Sequence, residues 1–84
     1  METVIHYPEQ CLFEIQTDGH TAYLEYAIDH KVLNVLHTVV PKEIGGRGIA
    51  AQLVEAAYAY AENKGLAFKA SCSYAAAWLK RRNG

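Results

Sequence analysis

The chain lacks several features that would assign it to a particular class of protein. It has two cysteines in 84 residues, too few for the disulfide framework of a small secreted domain, although a single disulfide would be feasible. No apolar run is long enough to cross a bilayer, and the first residues, METVIHYPEQ, mix charge with a proline, unlike a signal peptide. These absences favour a cytoplasmic protein with reduced thiols and no membrane partner.

A strong charge bias is missing as well. The net charge is -1 at pH 7, so no general surface for nucleic acid is expected. The basic run at residues 80–82 is explained by favourable charge at a helix C-terminus, with a docking patch for an acidic partner as the alternative. The four histidines show no metal-ligand spacing, so no metal site is predicted. The length and the ordinary globular composition predict a single domain over residues 1–84.

Alternating apolar residues predict three strands in the first half of the chain. Tight turns are expected between them, because Asp18-Gly19 is a strong hairpin signal and the polar residues 29–31 interrupt the apolar pattern. Strands joined by such short turns form an antiparallel meander. The three predicted strands cover residues 11–17, 21–28 and 32–40.

The third predicted strand has two apolar faces. A strand of this kind is expected near the centre of a sheet and covered on both faces. Pro41 ends the strand, because a proline cannot donate to the ladder. One of its faces carries Leu33, Val35, His37 and Val39.

The second half of the chain predicts two helices separated by a strand. Apolar residues at helical spacing begin at Ile49, and Gly65 suits the position just after the helix end. A short strand over residues 66–71 precedes the last helix, for which Ser73 is the candidate N-cap. This strand should lie parallel to the third strand through a right-handed crossover. The predicted order is β-β-β-α-β-α, an α+β fold with the long helix on at least one face.

Three glycines lie between the third strand and the first helix, at positions 45, 46 and 48. A strand, a glycine loop and a helix N-terminus together form an anion site, because the first helical N–H groups have no intrahelical partner and the helix dipole favours negative charge. Glycine lets the backbone approach phosphate oxygens, and Arg47 would add a charge-assisted bond. The loop therefore predicts phosphate binding, with a glycine-rich turn without a ligand as the alternative.

Two familiar phosphate loops do not fit this segment. The P-loop of kinases and related enzymes needs a Gly-Lys-Ser/Thr ending, which the chain lacks. Gly46, Gly48 and Ala51 match the spacing of the dinucleotide fingerprint, but no acidic residue follows about 20 positions later. The preceding strand also ends a meander instead of starting a βαβ unit. The dinucleotide interpretation is therefore rejected.

The segment VVPKEIGGRGIAAQLVEAA, residues 39–57, resembles the cofactor-binding motif of the GNAT superfamily of N-acetyltransferases. In that motif a strand ending in Val-x-Pro leads into Q/R-x-x-G-x-G/A and then into a long helix. Glu43 stands at the Gln/Arg position of the motif. The segment from Cys72 to Tyr74 is similar to the Cys-x-Tyr signature of a short, single-domain branch, so the resemblance covers most of the chain. The residues that match the glycine motif are Val39, Pro41, Gly46, Gly48 and Ile49.

The resemblance implies a compact GNAT-like fold with acetyl-CoA as the ligand. The pyrophosphate would bind the loop from Ile44 to Ile49, and the pantetheine arm would lie where the third and fourth predicted strands splay apart. A backbone N–H near Val39 would meet the acetyl carbonyl oxygen. The cofactor-binding residues implied in this way are Val39, Val40, Ile44, Gly45, Gly46, Arg47, Gly48 and Ile49.

Three side chains are candidates for catalysis of acetyl transfer to an amine. Cys72 lies at or just before the N-terminus of the last helix, a position that lowers the pKa of a thiol. It would accept the acetyl group or protonate the leaving CoA thiolate, with a small buried hydrophobe as the alternative. Tyr74 is a candidate general acid or a residue packed against the cofactor. His37 is a candidate because it titrates in the useful range, with a core or sheet-face residue as the alternative.

Two functions from different classes remain open at this point. The first is an acetyl-CoA-dependent N-acetyltransferase whose amine acceptor is a small molecule or a peptide. The second is a CoA- or acyl-CoA-binding module without turnover, favoured by Glu43, with a plain interaction domain as a further alternative. Because so short a chain provides little wall for an acceptor pocket, the acceptor site is expected to be open or completed by a second subunit in a homodimer.

Overall fold

The computed structural model describes the backbone of residues 3–83 and the side chains of residues 3–82. Five strands form one sheet in the order β1-β2-β3-β4-β5, and only the β4–β5 pair within it is parallel. The predicted α+β class, with a meander and a parallel crossover strand, is confirmed. The elements are β1 (Ile5–Tyr7), β2 (Leu12–Thr17), β3 (His20–Asp29), β4 (Val32–Val39), α1 (Ile49–Asn63), β5 (Ala67–Ala70) and α2 (Ser73–Asn83).

The short strand β1 is an addition to the predicted order. It pairs antiparallel with β2 and ends at Tyr7, because Pro8 begins a 3-10 turn. Three residues before a proline are too few to show a period of two, so sequence alternation does not reveal this strand. Its pairing with β2 makes it an edge strand of the sheet.

Two-residue turns join the three long strands, as predicted. The β2–β3 turn has φ of 52° at Asp18 and 76° at Gly19, and the β3–β4 turn has φ of 51° at His30 and 63° at Lys31. Positive φ at both central residues matches the right-handed twist of paired strands. These turns set the register of β2, β3 and β4 and therefore the direction in which their side chains point.

Both helices cover the same face of the sheet. Phe68 of β5 contacts Tyr58 of α1 and Trp78 of α2 at ring-centroid distances of 5.1 Å and 6.4 Å. The prediction that β4 is covered on both faces is therefore wrong, since its other face carries partly exposed and exposed side chains. We call the covered side the helix face and the opposite side the outer face. The buried core on the helix face consists of Phe13, Ile15, Ala22, Leu24, Tyr26, Leu33, Val35, Ile44, Ile49, Leu53, Val54, Ala57, Ala61 and Ala75.

A β-bulge interrupts the pairing of β3 with β4. Glu25 pairs with His37 and the next residue, Tyr26, pairs with Val35, so Leu36 is the extra residue on β4. A bulge of this kind reverses the alternation of the strand beyond it. The two halves of β4 therefore present different sets of residues to the helices.

The bulge corrects the face predicted for the third strand. Leu33 and Val35 lie in the core as expected, but His37 and Val39 point to the outer face. Thr38, which pairs with the buried Leu24, points to the helix face in their place. Strict alternation cannot anticipate this change, because the extra residue depends on pairing with β3.

Helix α1 begins at Ile49, as predicted, and stops at a glycine. Gly65 has φ of 70° and its N–H donates to the carbonyl of Glu62 at 3.1 Å. The N–H of Leu66 donates to the carbonyl of Ala61 at 2.8 Å, which completes a Schellman motif. The predicted position of Gly65 after the helix end is confirmed. This stop directs the chain straight into β5.

Candidate functional site

The glycine loop between β4 and α1 is anchored at both ends by buried isoleucines. Ile44 closes a 3-10 turn, Lys42–Ile44, and is fully buried, and Ile49 opens α1 with 2% of its surface exposed. Burying each of these side chains contributes about 2 kcal/mol. The four residues between them are exposed. The loop backbone is thus fixed at its ends and open to solvent in the middle.

Two of the loop glycines occupy conformations that other residues rarely adopt. Gly46 has φ of 76° and Gly48 has φ of 75°. A Cβ built on either would meet nothing within 4 Å, so neither glycine is required by close packing. Both glycines combine a left-handed backbone conformation with open space beside the backbone.

The N-terminus of α1 has no side-chain cap. Gly48 occupies the N-cap position, and its carbonyl accepts the first helical bond from the N–H of Gln52 at 3.1 Å. Glycine brings no side-chain oxygen to the N–H groups of the first turn. Together with the helix dipole, these groups make the helix end a suitable place for a phosphate.

A cavity of about 250 Å³ lies between the glycine loop and the start of α2. It contains six of the eight residues predicted to bind the cofactor, together with Tyr74 from the first turn of α2 and Ala50 from α1. Most of the predicted site is therefore brought together in one place. The six predicted residues that line it are Val40, Ile44, Gly45, Gly46, Gly48 and Ile49.

Strands β4 and β5 separate next to this cavity. Their pairing ends at Val35 and Ala70, although β4 continues to Val39. The last contacts are made by a single carbonyl: that of Val35 accepts from the N–H of Ser71 at 2.9 Å and from that of Cys72 at 3.1 Å. Beyond this point β4 has no partner on its β5 side. The splayed strands expected from the resemblance are thus present in the structure.

A side-chain clamp fixes the point of separation. Asn34 Nδ2 donates to Ser71 Oγ at 3.0 Å, and Asn34 Oδ1 accepts from the backbone N–H of Ser71 at 3.0 Å. The Ser71 hydroxyl also lies 3.2 Å from Asn34 Oδ1. The asparagine therefore holds the end of β5 against β4 immediately before the two strands part.

Cys72 occupies the N-cap position of α2. The helix begins at Ser73, and the carbonyl of Cys72 accepts the N–H of Ala76 at 2.9 Å. The prediction that Ser73 caps this helix is therefore wrong by one residue, because Cys72 is the one whose carbonyl starts the helical ladder. The Cys72 thiol donates to Thr38 Oγ1 at an S–O distance of 3.6 Å.

The surroundings of Cys72 have opposite effects on its thiol. Burial raises the pKa, whereas hydrogen bonds from the backbone of Ala75, from the Thr38 side chain and from the backbone of Tyr74 lower it. The lowering effects prevail, and the pKa of Cys72 lies below its ordinary value. Helix position alone predicts this direction, and the contact with Thr38 adds to it.

Four of the predicted residues do not line the cavity: Cys72, whose thiol contacts Thr38, together with Arg47, Val39 and His37. Arg47 Nη1 forms an ion pair with Asp18 Oδ2 at 2.6 Å, across the gap to the β2–β3 turn. Val39 is 41% exposed and lies on the outer face, and so does His37, which pairs with Glu25 of β3. The guanidinium is thus already engaged by a carboxylate, and the imidazole is open to solvent.

Sequence reasoning missed several residues of this site. Thr38, Asn34 and Ser71 are ordinary polar residues at strand positions, and their sequence spacing shows no motif. Their contacts come from the bulge and from the end of the β4–β5 pairing. Asp18 was recognised only as a turn residue. The sequence carries no signal for its pairing with Arg47, since an exposed arginine is solvated by water and needs no carboxylate partner.

The comparisons with known proteins agree with this geometry. A family model described as GCN5-related N-acetyl-transferase matches residues 12–83. The chain is also similar to the solution NMR structure of a GCN5-like protein from Staphylococcus aureus that is assigned as an N-acetyltransferase. The TM-score is 0.77 at 28% identity, over 96% of this chain and 80% of that one.

The family match includes both the glycine loop and the Cys-x-Tyr segment, which carried the resemblance in the sequence. Over residues 3–83, neither helix is long and apolar enough to span a membrane. The overall fold of the chain, a mixed five-stranded sheet with two helices, matches that of the similar structure. The chain therefore belongs to the family of GCN5-related N-acetyltransferases.

Proposed function

We propose that this protein binds acetyl-CoA at the glycine loop and transfers the acetyl group to an amine. One observation carries the proposal: a single cavity is lined by the exposed glycine loop, by Val40 just after β4 and by Tyr74 of α2, and the pairing of β4 with β5 has already ended at Val35 and Ala70. The diphosphate of CoA would bind the exposed backbone of the loop, and the thioester arm would enter the space between the separated strands. Family membership supports the same chemistry.

The pyrophosphate is proposed to bind the loop from Ile44 to Ile49. Gly46 and Gly48 leave open space beside the backbone, and the uncapped N-terminus of α1 supplies N–H donors and a favourable dipole. Glu43 is exposed and stands at the motif position usually held by Gln or Arg. The pyrophosphate would therefore be bound by backbone donors instead of by a side chain at that position. Arg47 would add its charge by exchanging Asp18 for a phosphate oxygen, because both side chains are substantially exposed.

The thioester arm is proposed to lie in the gap between β4 and β5. Residues 36–39 of β4 have no β5 partner, so this stretch of backbone can donate to the acetyl carbonyl oxygen, near Val39 as the resemblance implies. Such a bond strengthens as the carbonyl becomes a tetrahedral oxyanion. Cys72 and Tyr74 approach the same gap from the first residues of α2.

Two routes of transfer are compatible with this arrangement. In direct transfer, the neutral amine bonds to the acetyl carbon and the C–S bond to CoA breaks. The CoA thiolate takes a proton from Cys72 or Tyr74, and the proton that the nitrogen loses on forming the amide restores that acid. In covalent transfer, the Cys72 thiolate bonds to the acetyl carbon as the C–S bond to CoA breaks, and the amine then displaces Cys72. The lowered pKa of Cys72 favours the covalent route.

The acceptor is proposed to approach from the outer face of the sheet. This face has no helix over it, and His37 stands there on the part of β4 that lacks a β5 neighbour. Histidine is the side chain that most often takes a proton as a general base. An open face suits an amine on a peptide, although a small amine or an acceptor site completed by a second subunit fits the same geometry.

A CoA-binding module without turnover is the second candidate. The observation in its favour is the Arg47–Asp18 ion pair, which leaves the loop without a free cation, together with Glu43 at the motif position. Under this alternative the protein would hold CoA or an acyl-CoA without passing the acyl group to any amine.

Intact-mass spectrometry of the full chain with acetyl-CoA tests the proposal. Spermidine and a lysine-containing peptide serve as amine probes, and Cys11→Ala is the matched control for Cys72→Ala, because both native cysteines are free and half-buried. Covalent transfer predicts one acetyl adduct on wild type and on Cys11→Ala but none on Cys72→Ala. Acetylated probe without an adduct indicates direct transfer. CoA binding with no transfer favours the module, and no binding contradicts both.

A further inference from the structure

The bulge in β4 brings one uncharged side chain to the thiol of Cys72. Beyond Leu36 the strand alternation is reversed, so Thr38 lies on the helix face beside the start of α2. Without the extra residue, His37 would face the helices and Thr38 would face solvent. The bulge thus exchanges a titratable ring for a hydroxyl at this position.

We propose that Thr38 is a positioning residue that holds the Cys72 sulfur in the gap between β4 and β5 and stabilises its thiolate form. The contact joins two elements that are no longer paired, since β4 and β5 have parted at Val35 and Ala70. The importance of this arrangement for acetyl transfer rests on the proposed function. The effect of Thr38 on the thiol itself is independent of the proposed function.

A hydroxyl can serve both protonation states of the sulfur. In the thiol form, Cys72 donates to Thr38 Oγ1 at 3.6 Å. When the proton leaves, the threonine hydroxyl rotates and donates to the sulfur. Bonds to a charged acceptor are stronger than neutral ones, so the second arrangement favours the thiolate.

Backbone groups complete the environment of the sulfur. The backbone groups of Ala75 and Tyr74, in the first turn of α2, and the backbone of Thr38 contribute hydrogen bonds, and the N-cap position adds the positive end of the helix dipole. Thr38 is the side chain that contributes a hydrogen bond from β4. The pKa of Cys72 lies below its ordinary value under these combined effects, despite the opposing effect of burial.

Charged side chains of the described residues do not contribute to this shift. Tyr74 is the titratable neighbour on the same helix, and its side chain lines the glycine-loop cavity. On β4, His37 precedes Thr38 but points to the outer face, away from the thiol. The hydroxyl of Thr38 is therefore the contribution that a single substitution can remove without altering a charge.

Site-resolved alkylation with iodoacetamide across a pH series tests the proposal without any acetyl-CoA. Peptide mass mapping reads Cys72 and Cys11 separately in the same sample, so Cys11 is an internal reference for folding. Thr38→Val removes the hydroxyl and keeps a β-branched side chain suited to a strand. Thr38→Ser keeps the hydroxyl.

Thr38→Val is expected to raise the midpoint of Cys72 alkylation and slow the reaction at neutral pH by about threefold to tenfold. Thr38→Ser should stay within about twofold of wild type, since its hydroxyl can still donate. The Cys11 profile should be the same in all three proteins. An unchanged Cys72 profile in Thr38→Val, or an equal loss in Thr38→Ser, overturns the proposal.

A second readout separates this proposal from the proposed function. If Cys72 carries the acetyl group, Thr38→Val should form the adduct about threefold to tenfold more slowly, in proportion to its loss of thiolate at neutral pH. The rates are compared at saturating acetyl-CoA, so that a change in CoA affinity does not enter the comparison. If no adduct forms in any variant, the covalent route fails, but the alkylation profiles still decide whether Thr38 stabilises the thiolate.

Discussion

At the scale of the residue, the glycine loop depends on two backbone conformations more than on any side chain. Gly46 and Gly48 combine positive φ with open space where a Cβ would point. The nearest cation, Arg47, is bound to Asp18. We infer that the loop selects its ligand by leaving room for phosphate oxygens beside the backbone.

Replacing Gly46 by alanine tests this inference, with Gly65→Ala as the matched control. Both glycines have φ near 70–76° and an open Cβ position, so each substitution should cost about 1 kcal/mol of stability. Only Gly46 lines the cavity, so Gly46→Ala alone should weaken CoA binding, by about tenfold or more. Urea unfolding and isothermal titration measure the two effects. Equal affinity losses in both variants would show that the loop acts only through stability.

Single residues were predicted well where the cause was local. A glycine loop before a helix, and a glycine after its end, follow from backbone conformations that the nearby sequence alone dictates. Arg47 was expected to meet phosphate, because its carboxylate partner at Asp18 lies on a distant turn that comes near only in the folded chain. The N-cap at Cys72 was missed by one residue for a related reason. Serine is the commoner N-cap residue, but the end of the β4–β5 pairing fixes the residue at which α2 begins.

At the scale of the element, the separation of β4 from β5 opens the gap in which we propose that the thioester arm binds. The order of strands and helices was predictable from periodicity, turn residues and the right-handed crossover. The bulge at Leu36 could not be predicted, because the two-residue alternation of a strand carries no sign of an extra residue. That one irregularity decides that Thr38, and not His37, faces the helices.

The clamp between Asn34 and Ser71 offers a test at this scale. Asn34→Ala removes the side-chain bonds that hold the end of β5, and such exposed bonds contribute about 0.5–1.5 kcal/mol in total stability. Because α2 begins two residues after Ser71, we expect the Cys72 end of the gap to shift and CoA binding to weaken about threefold to tenfold.

Gln16→Ala is the control, since it deletes an outer-face hydrogen bond to Glu14 away from the gap. Its CoA affinity should match wild type in isothermal titration. Wild-type affinity in Asn34→Ala as well would mean that the clamp contributes to stability without setting the width of the gap.

At the scale of the whole molecule, the end of the sheet near β1 is held by a cluster of rings remote from the glycine loop. His6 stacks on Phe13 at a centroid distance of 4.0 Å, and its Nε2 lies 2.7 Å from Tyr26 Oη. Tyr60 of α1 meets the edge of this stack at 4.4 Å. Burial, followed by the effect of Tyr60, raises the pKa of Tyr26 to about 12, so its hydroxyl stays neutral.

Global stability should therefore depend on pH through His6. Burial lowers the pKa of His6 in the folded protein, so below about pH 6.5 the unfolded chain binds a proton that the folded chain resists. The free energy of unfolding should fall as the pH drops from about 7.5 to about 5. His6→Phe keeps a stacking ring, and its urea midpoint should fall less over this range. Identical pH slopes in both proteins would rule out His6 as the source.

The two faces of the sheet differ in their exposure to solvent. Helices cover one face, and the other presents His37, Val39 and their neighbours to solvent. Under the proposed function, the donor binds in a defined cavity and the acceptor side is open. This is the reason that the sequence predicts the donor site more fully than it predicts the acceptor.

We propose that acetyl-CoA binds across the glycine loop and the gap between β4 and β5. Amide chemical shifts of the 15N-labelled protein during a CoA titration test it most directly. We predict saturable shifts for residues 44–51, 36–40 and 72–75, with the β3–β4 turn at His30 and Lys31 unaffected. Shifts confined to other parts of the sheet, or no shifts at millimolar CoA, would contradict this mode of CoA binding.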